Sequence, residues 1–153
     1  MRLSRENEQS SGKRRLNVFV DANTIVSGLA FEGNEALLLK LGAIGVCKLV
    51  TTRYVIDEVT KVLGAKEFDL GQDEVHNLLS DAYKAVIVRE DFKQEDLREH
   101  FSRLDDKKDL QVLASYEKLK CDILVTGDRE LLKKVAGAKT TRRVLEMLLA
   151  ETP

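Results

Sequence analysis

Twice in this chain a short apolar run ends in a polar turn or an acid and gives way at once to a helix-patterned segment. The first is Val18-Phe19-Val20-Asp21-Ala22-Asn23-Thr24, and the second is Ile123-Leu124-Val125-Thr126-Gly127-Asp128. Apolar runs of this length suit strands buried on both faces, the condition of a parallel sheet. Three further stretches read as strands: Cys47 to Thr51, Ala85 to Arg89 and Ala138 to Thr141. Helical patterns fill the intervals, over 23–31, 35–43, 53–63, 72–82, 106–120, 130–135 and 142–150, and the acidic stretch 90–103 is helical in part. Glu32-Gly33-Asn34 breaks the first two helices apart, Thr52 suits the N-cap of the third, and Gly64 ends it. Short strands alternating with helices predict an α/β fold whose parallel sheet is covered on both faces.

With 153 residues and no visible repeat or linker, the chain reads as a basic N-terminal arm, 1–15, followed by a single domain, 16–150. The arm carries Arg2, Arg5, Lys13, Arg14 and Arg15 against Glu6 and Glu8. Such an arm fits a solvated, flexible terminus, and it also fits contact with nucleic acid. No apolar run approaches the roughly 20 residues of a membrane span, and no secretory apolar core opens the chain, so a cytoplasmic protein without membrane contact is expected. Cys47 and Cys121 are the only cysteines. They read as buried thiols and are too few for a structural zinc site. His76 and His100 lie far apart and no CxxC or HExxH occurs, so any metal here would be bound by oxygen.

Helical periodicity then separates surface acids from acids in unusual places. In the helix from Arg53, the apolar stripe is Val55, Ile56, Val59, Val62 and Leu63; Glu58 borders it, while Asp57 points away. In the helix from Asp106, Asp109 projects from the middle of the apolar face, too far in to act as a cap. Asp105 and Asp106 fall on the same side, where capping also explains them. Asp21 and Asp128 each admit two readings, a cap of the following helix or a site acid. If their strands are neighbours, both face one crevice at the carboxyl edge of the sheet. Four acids drawn together would repel one another without a counter-ion, and a hard divalent cation such as Mg²⁺ or Mn²⁺ resolves that.

Over about Leu16 to Leu149 these residues resemble the PIN-domain family of metal-dependent nucleases. The resemblance rests on Val20-Asp21-Ala22-Asn23, on Glu58, on Asp106 to Asp109 before a helix, and on Leu124-Val125-Thr126-Gly127-Asp128. It implies a three-layer α/β/α sandwich with a mainly parallel sheet of four to five strands. It further implies that Asp21, Glu58, Asp109 and Asp128 are catalytic and hold one or two Mg²⁺ or Mn²⁺ ions. Asn23 and Thr126 would support these acids by hydrogen bonds, and Asp106, matching an acid of one PIN subgroup, would be a further supporting residue. The implied activity is endonucleolytic hydrolysis of RNA by metal-activated water. Arg53, Arg129 and Lys133, together with Lys134, Arg142 and Arg143, are candidates for holding the RNA backbone. A small single-domain form resembles the toxin half of toxin-antitoxin pairs, which implies a homodimer and an antitoxin partner.

Other readings compete. An RNA-processing PIN nuclease outside such pairs, or a PIN-like module that binds RNA or protein without cleaving, would share most of these residues. A haloacid-dehalogenase-like phosphatase also opens with a strand ending in Asp, but it needs a second Asp two residues later as general acid, and Asn23 stands there. Phosphate-loop and dinucleotide folds are excluded, since neither GxxxxGK[ST] nor GxGxxG occurs.

Overall fold

The computed structural model describes residues 14–97 and 107–150. Within them, five parallel strands form one sheet in the order β3-β2-β1-β4-β5. The strands are β1 (Asn17–Val20), β2 (Lys48–Thr52), β3 (Val86–Arg89), β4 (Ile123–Val125) and β5 (Ala138–Lys139). The helices are α1 (Ala22–Ala30), α2 (Asn34–Ala43), α3 (Arg53–Leu63), α4 (Gln72–Ala85), α5 (Gln94–Leu97), α6 (Lys107–Lys118), α7 (Arg129–Lys134) and α8 (Thr141–Ala150), with a 3-10 turn at Lys66–Phe68. The expected α/β/α architecture is therefore present.

The centre of the sheet follows from its sequence. Val18, Phe19 and Val20 are all fully buried although successive residues point to opposite faces, so β1 is covered on both sides. Its neighbours align Phe19 with Val50 on β2 and Leu124 on β4. Parallel strands need crossover helices, and these are right-handed in nearly all proteins. The chain steps from β1 outward to β3 and then returns to β4 on the other side of β1. That reversal places α1 to α4 on one face and α6 on the other, where it packs on β4. α8 returns to pack on α2. Gly28 lets α1 and α2 approach closely, because a Cβ there would lie 2.6 Å from Leu39 Cδ1.

Three local readings differ from the sequence expectation. α4 continues to Ala85, three residues beyond the expected end, and passes directly into β3. Thr52 holds the N-cap position of α3 but its side chain makes no capping bond; the Tyr54 amide instead donates to Asp91 Oδ1 at 2.8 Å. Cys47 is buried, whereas Cys121 is only partly so; both are free thiols, and burial pushes each up to about 11. Residues 1–13 of the basic arm lie outside the described residues, but Arg14 and Arg15 are fastened to the body. Arg14 pairs with Asp122 at 2.5 Å and Arg15 donates to the Gly45 carbonyl at 3.3 Å. No helix among the described residues is long and apolar enough to cross a membrane.

Candidate active site

The strand order makes β1 and β4 neighbours whose following helices depart to opposite sides, which is the switch point where open parallel sheets form a crevice. Asp21 and Asp128 stand just past those two strand ends. Each also caps a helix: Asp21 Oδ1 accepts from the Thr24 amide at 3.0 Å, and Asp128 Oδ1 from the Leu131 amide at 2.9 Å. Capping does not exclude a site role for either acid. A cap spends one carboxylate oxygen and fixes the direction of the other.

Thr126 links the two. It is 1% exposed, donates its hydroxyl to Asp21 Oδ2 at 2.5 Å, and accepts from the Asp128 amide at 3.1 Å. The Thr126 amide in turn donates to the Lys139 carbonyl at 3.0 Å, tying the corner to β5. A residue the sequence reading passed over adds a further tie: buried Thr51, on β2, donates to the Val20 carbonyl at 2.9 Å, directly before Asp21. Nothing in the sequence marks it, since Thr52 beside it is a second buried threonine of the same strand end.

Glu58 and Asp109 are held differently. Both are partly buried on helices, Glu58 in α3 beside buried Val55 and Val59, Asp109 in the first turn of α6. Asp57 is exposed, as its phase on the helix required. Glu58 Oε1 accepts from Lys108 Nζ at 2.9 Å, and this hydrogen bond holds the Glu58 carboxyl below its ordinary value. Lys108 is the second residue the sequence reading missed. On the helix it adjoins Asp109, but only the fold, which brings the first turn of α6 within side-chain reach of α3, brings it to Glu58. Asp106 and Asp105 lie outside the described residues. Asn23 is exposed, and among the described residues no hydrogen bond joins it to the acids; it lines a cleft beside them instead, so Thr126 supplies the support.

Among the described residues, no three carboxylate, imidazole or thiolate side chains converge closely enough to hold one ion as they stand. The donor set nevertheless suits a hard divalent cation, since it offers carboxylate oxygens and a threonine hydroxyl without sulfur or imidazole. Asp21 and Asp128 are its fixed members, while Glu58 is neutralised by Lys108. Of the basic candidates, Arg53 and Arg129 are exposed at the first positions of helices leaving the carboxyl edge. Lys133 is exposed one turn along α7, and Lys134 reaches Glu130 at 3.5 Å.

Comparison with known proteins agrees with this fold. A family model described as PIN domain matches residues 17–130. No curated protein is significantly similar to the sequence. Among solved structures, PAE2754 from Pyrobaculum aerophilum superposes with a TM-score of 0.67 at 25% identity, covering 89% of this chain and 97% of that one. VapBC2 from Rickettsia felis, bound to a DNA fragment from its promoter, gives a TM-score of 0.64 at 12% identity, with 82% and 98% covered. VapC20 of Mycobacterium tuberculosis, a toxin that cleaves the sarcin-ricin loop, gives 0.53 at 19% identity, with 77% and 96% covered.

Proposed function

The chain belongs to the PIN-domain family, and from that premise we propose that it is a Mg²⁺- or Mn²⁺-dependent endoribonuclease acting in the cytoplasm. The observation that carries this reading is the Asp21–Thr126–Asp128 bridge at the switch point of the sheet. Asp21, Asp128, Asp109 and Glu58 would hold the cation. When bound, it supplies a water of lowered pKa and offsets charge developing on the phosphoryl oxygens. The chain's own work is positioning. Asp21 and Asp128 are set by strand ends and by their helix caps, so Asp128 Oδ2 and the remaining lone pair of Asp21 Oδ2, which already accepts from Thr126, need little reorganisation to meet a ligand. Thr126 holds Asp21 at a fixed angle to the β4 loop. Glu58 reaches the site from α3, after exchanging Lys108.

The biological role that fits is the toxin of a toxin-antitoxin pair, a homodimer blocked by a small antitoxin protein. Its support is the shared fold with VapC20 and VapBC2. An RNA-processing role would use the same chemistry. A non-cleaving binding module is the second reading, and the Lys108–Glu58 ion pair favours it, because it occupies one of the four acids with a protein cation.

Asp21→Asn or Asp109→Asn is expected to abolish Mn²⁺-dependent RNA cleavage while circular dichroism stays unchanged. Undiminished cleavage in either variant would remove that residue from the site. Isothermal titration of Mn²⁺ into the wild type separates the two readings, since a chain that takes up no ion is a binding module.

A further inference from the structure

We propose that the cleft beside the acid pair is a phosphate subsite for the substrate strand, formed by Thr141, Arg142 and the N-terminus of α8. This deepens the nuclease reading and rests on it for the identity of the strand. The cleft measures about 330 Å³ and is lined on one side by Thr126 and Gly127 of the β4–α7 loop. Thr126 also binds Asp21. The cleft therefore abuts the acids, and a strand with one phosphodiester at Asp21 and Asp128 lays its neighbour there.

Three features point to an anion. Thr140 accepts from the Arg143 amide at 3.2 Å, which leaves the Thr141 and Arg142 amides without an intrahelical acceptor at the start of a ten-residue helix whose first residues line the cleft. Thr141 is only 7% exposed yet lines the cleft, and among the described residues its hydroxyl has no hydrogen-bond partner. The rest of the residue is buried while the hydroxyl remains open to the cleft, so it is held in place to donate to a ligand oxygen there. Arg142, exposed at the rim, adds a full positive charge and a planar donor fork matched to phosphate. The start of α2 also opens here, its Gly33 offering no side-chain cap. Glu35 is the one acid lining the cleft and opposes an anion; Arg142 and the two helix termini outweigh it.

The test measures binding of a labelled single-stranded RNA oligonucleotide by fluorescence anisotropy, in the full chain carrying Asp21→Asn so that no strand is cut. Arg142→Ala should weaken binding several-fold and reduce the slope of log affinity against log salt by about 1. Thr141→Val should weaken binding with the slope unchanged, and Thr141→Ser should restore it. Arg142 is exposed, so its variant keeps the fold and decides the matter if Thr141→Val does not. Parent-like affinity and slope in Arg142→Ala overturns the subsite, as does a parent protein that binds no RNA. In the wild-type background Arg142→Ala should raise KM more than it lowers kcat. RNA bound through the cleft but never cleaved would overturn the nuclease reading and leave the subsite standing; cleavage with unchanged KM in Arg142→Ala would do the reverse.

Discussion

The two halves of the acidic site are built on different elements, and that difference decides how firmly each is held. Asp21 and Asp128 leave the ends of adjacent buried strands, where backbone position is fixed by the ladder and each side chain has one oxygen committed to a helix cap. Glu58 and Asp109 ride on helices, and in the proposed site they would have to reach the other two acids through rotatable side chains. Glu58 already has a partner in Lys108. A strand end aims its carboxylate before any ligand arrives, whereas a helix acid must choose between a protein cation and a ligand. In the proposed nuclease the first half would therefore be the preorganised frame, and the second the part that responds to what binds.

The sharpest way to break that contrast is to cut the bridge inside the frame. Thr126→Val keeps shape but removes the donor to Asp21 and the acceptor for the Asp128 amide. Partners of this kind, one step behind a metal ligand, are worth about 10–100-fold in affinity. Mn²⁺ affinity by calorimetry should fall by that much, and the lost hydrogen bonds of this part-buried corner should cost about 0.5–1.5 kcal/mol in urea unfolding. Thr126→Ser should recover most of both. A Thr126→Val protein that binds Mn²⁺ like the parent would mean the two strand-end acids are not a coupled pair.

A smaller effect sharpens the same contrast through stability alone. Asp21→Ala and Asp128→Ala each lose a helix cap and should cost about 0.5–2 kcal/mol. Asp21→Asn retains an acceptor for the Thr24 amide and should cost less. Glu58→Ala removes only an ion pair whose lysine is 63% exposed, and should stay within about 1 kcal/mol. Equal losses at Asp21 and Glu58 in thermal melts would erase the distinction between frame and responsive half.

The same division explains what could be read from the residues beforehand. Strands buried on both faces announce themselves as apolar runs, so the sheet, its parallel sense and the two strand-end acids were legible at Val18–Asp21 and Ile123–Asp128. Helical phase was equally informative locally, separating exposed Asp57 from half-buried Glu58. What periodicity does not carry is contact between elements distant in sequence. Lys108 meets Glu58 across 50 residues, Asp91 reaches the start of α3 across 37, and Thr51 bonds the end of β1 across 31. None of these has a local signature, because an exposed lysine, an acid in a loop and a threonine in a strand are each ordinary in isolation. Asn23 shows the opposite error: a motif position suggested support for the acids, but the first turn of α1 turns its side chain to the cleft.

The smallest expected effect is also the most discriminating for the responsive half. Lys108 holds the Glu58 carboxyl below its ordinary value of 4.5, chiefly through their hydrogen bond. A carboxylate whose pKa is lower folded than unfolded stabilises the fold above the unfolded value, and that contribution disappears as pH falls through the lowered one. Lys108→Ala should therefore cost little at pH 7, about 0.2–1 kcal/mol for so exposed a lysine, and should cost nothing once pH lies below the lowered value. The difference between parent and variant in urea unfolding should thus shrink from pH 6 towards pH 3. Mn²⁺ affinity should move the other way, rising in Lys108→Ala because Glu58 no longer has to surrender a protein cation before meeting the metal. If affinity falls instead, Lys108 positions Glu58 rather than competing for it, and the second half of the site is as preorganised as the first.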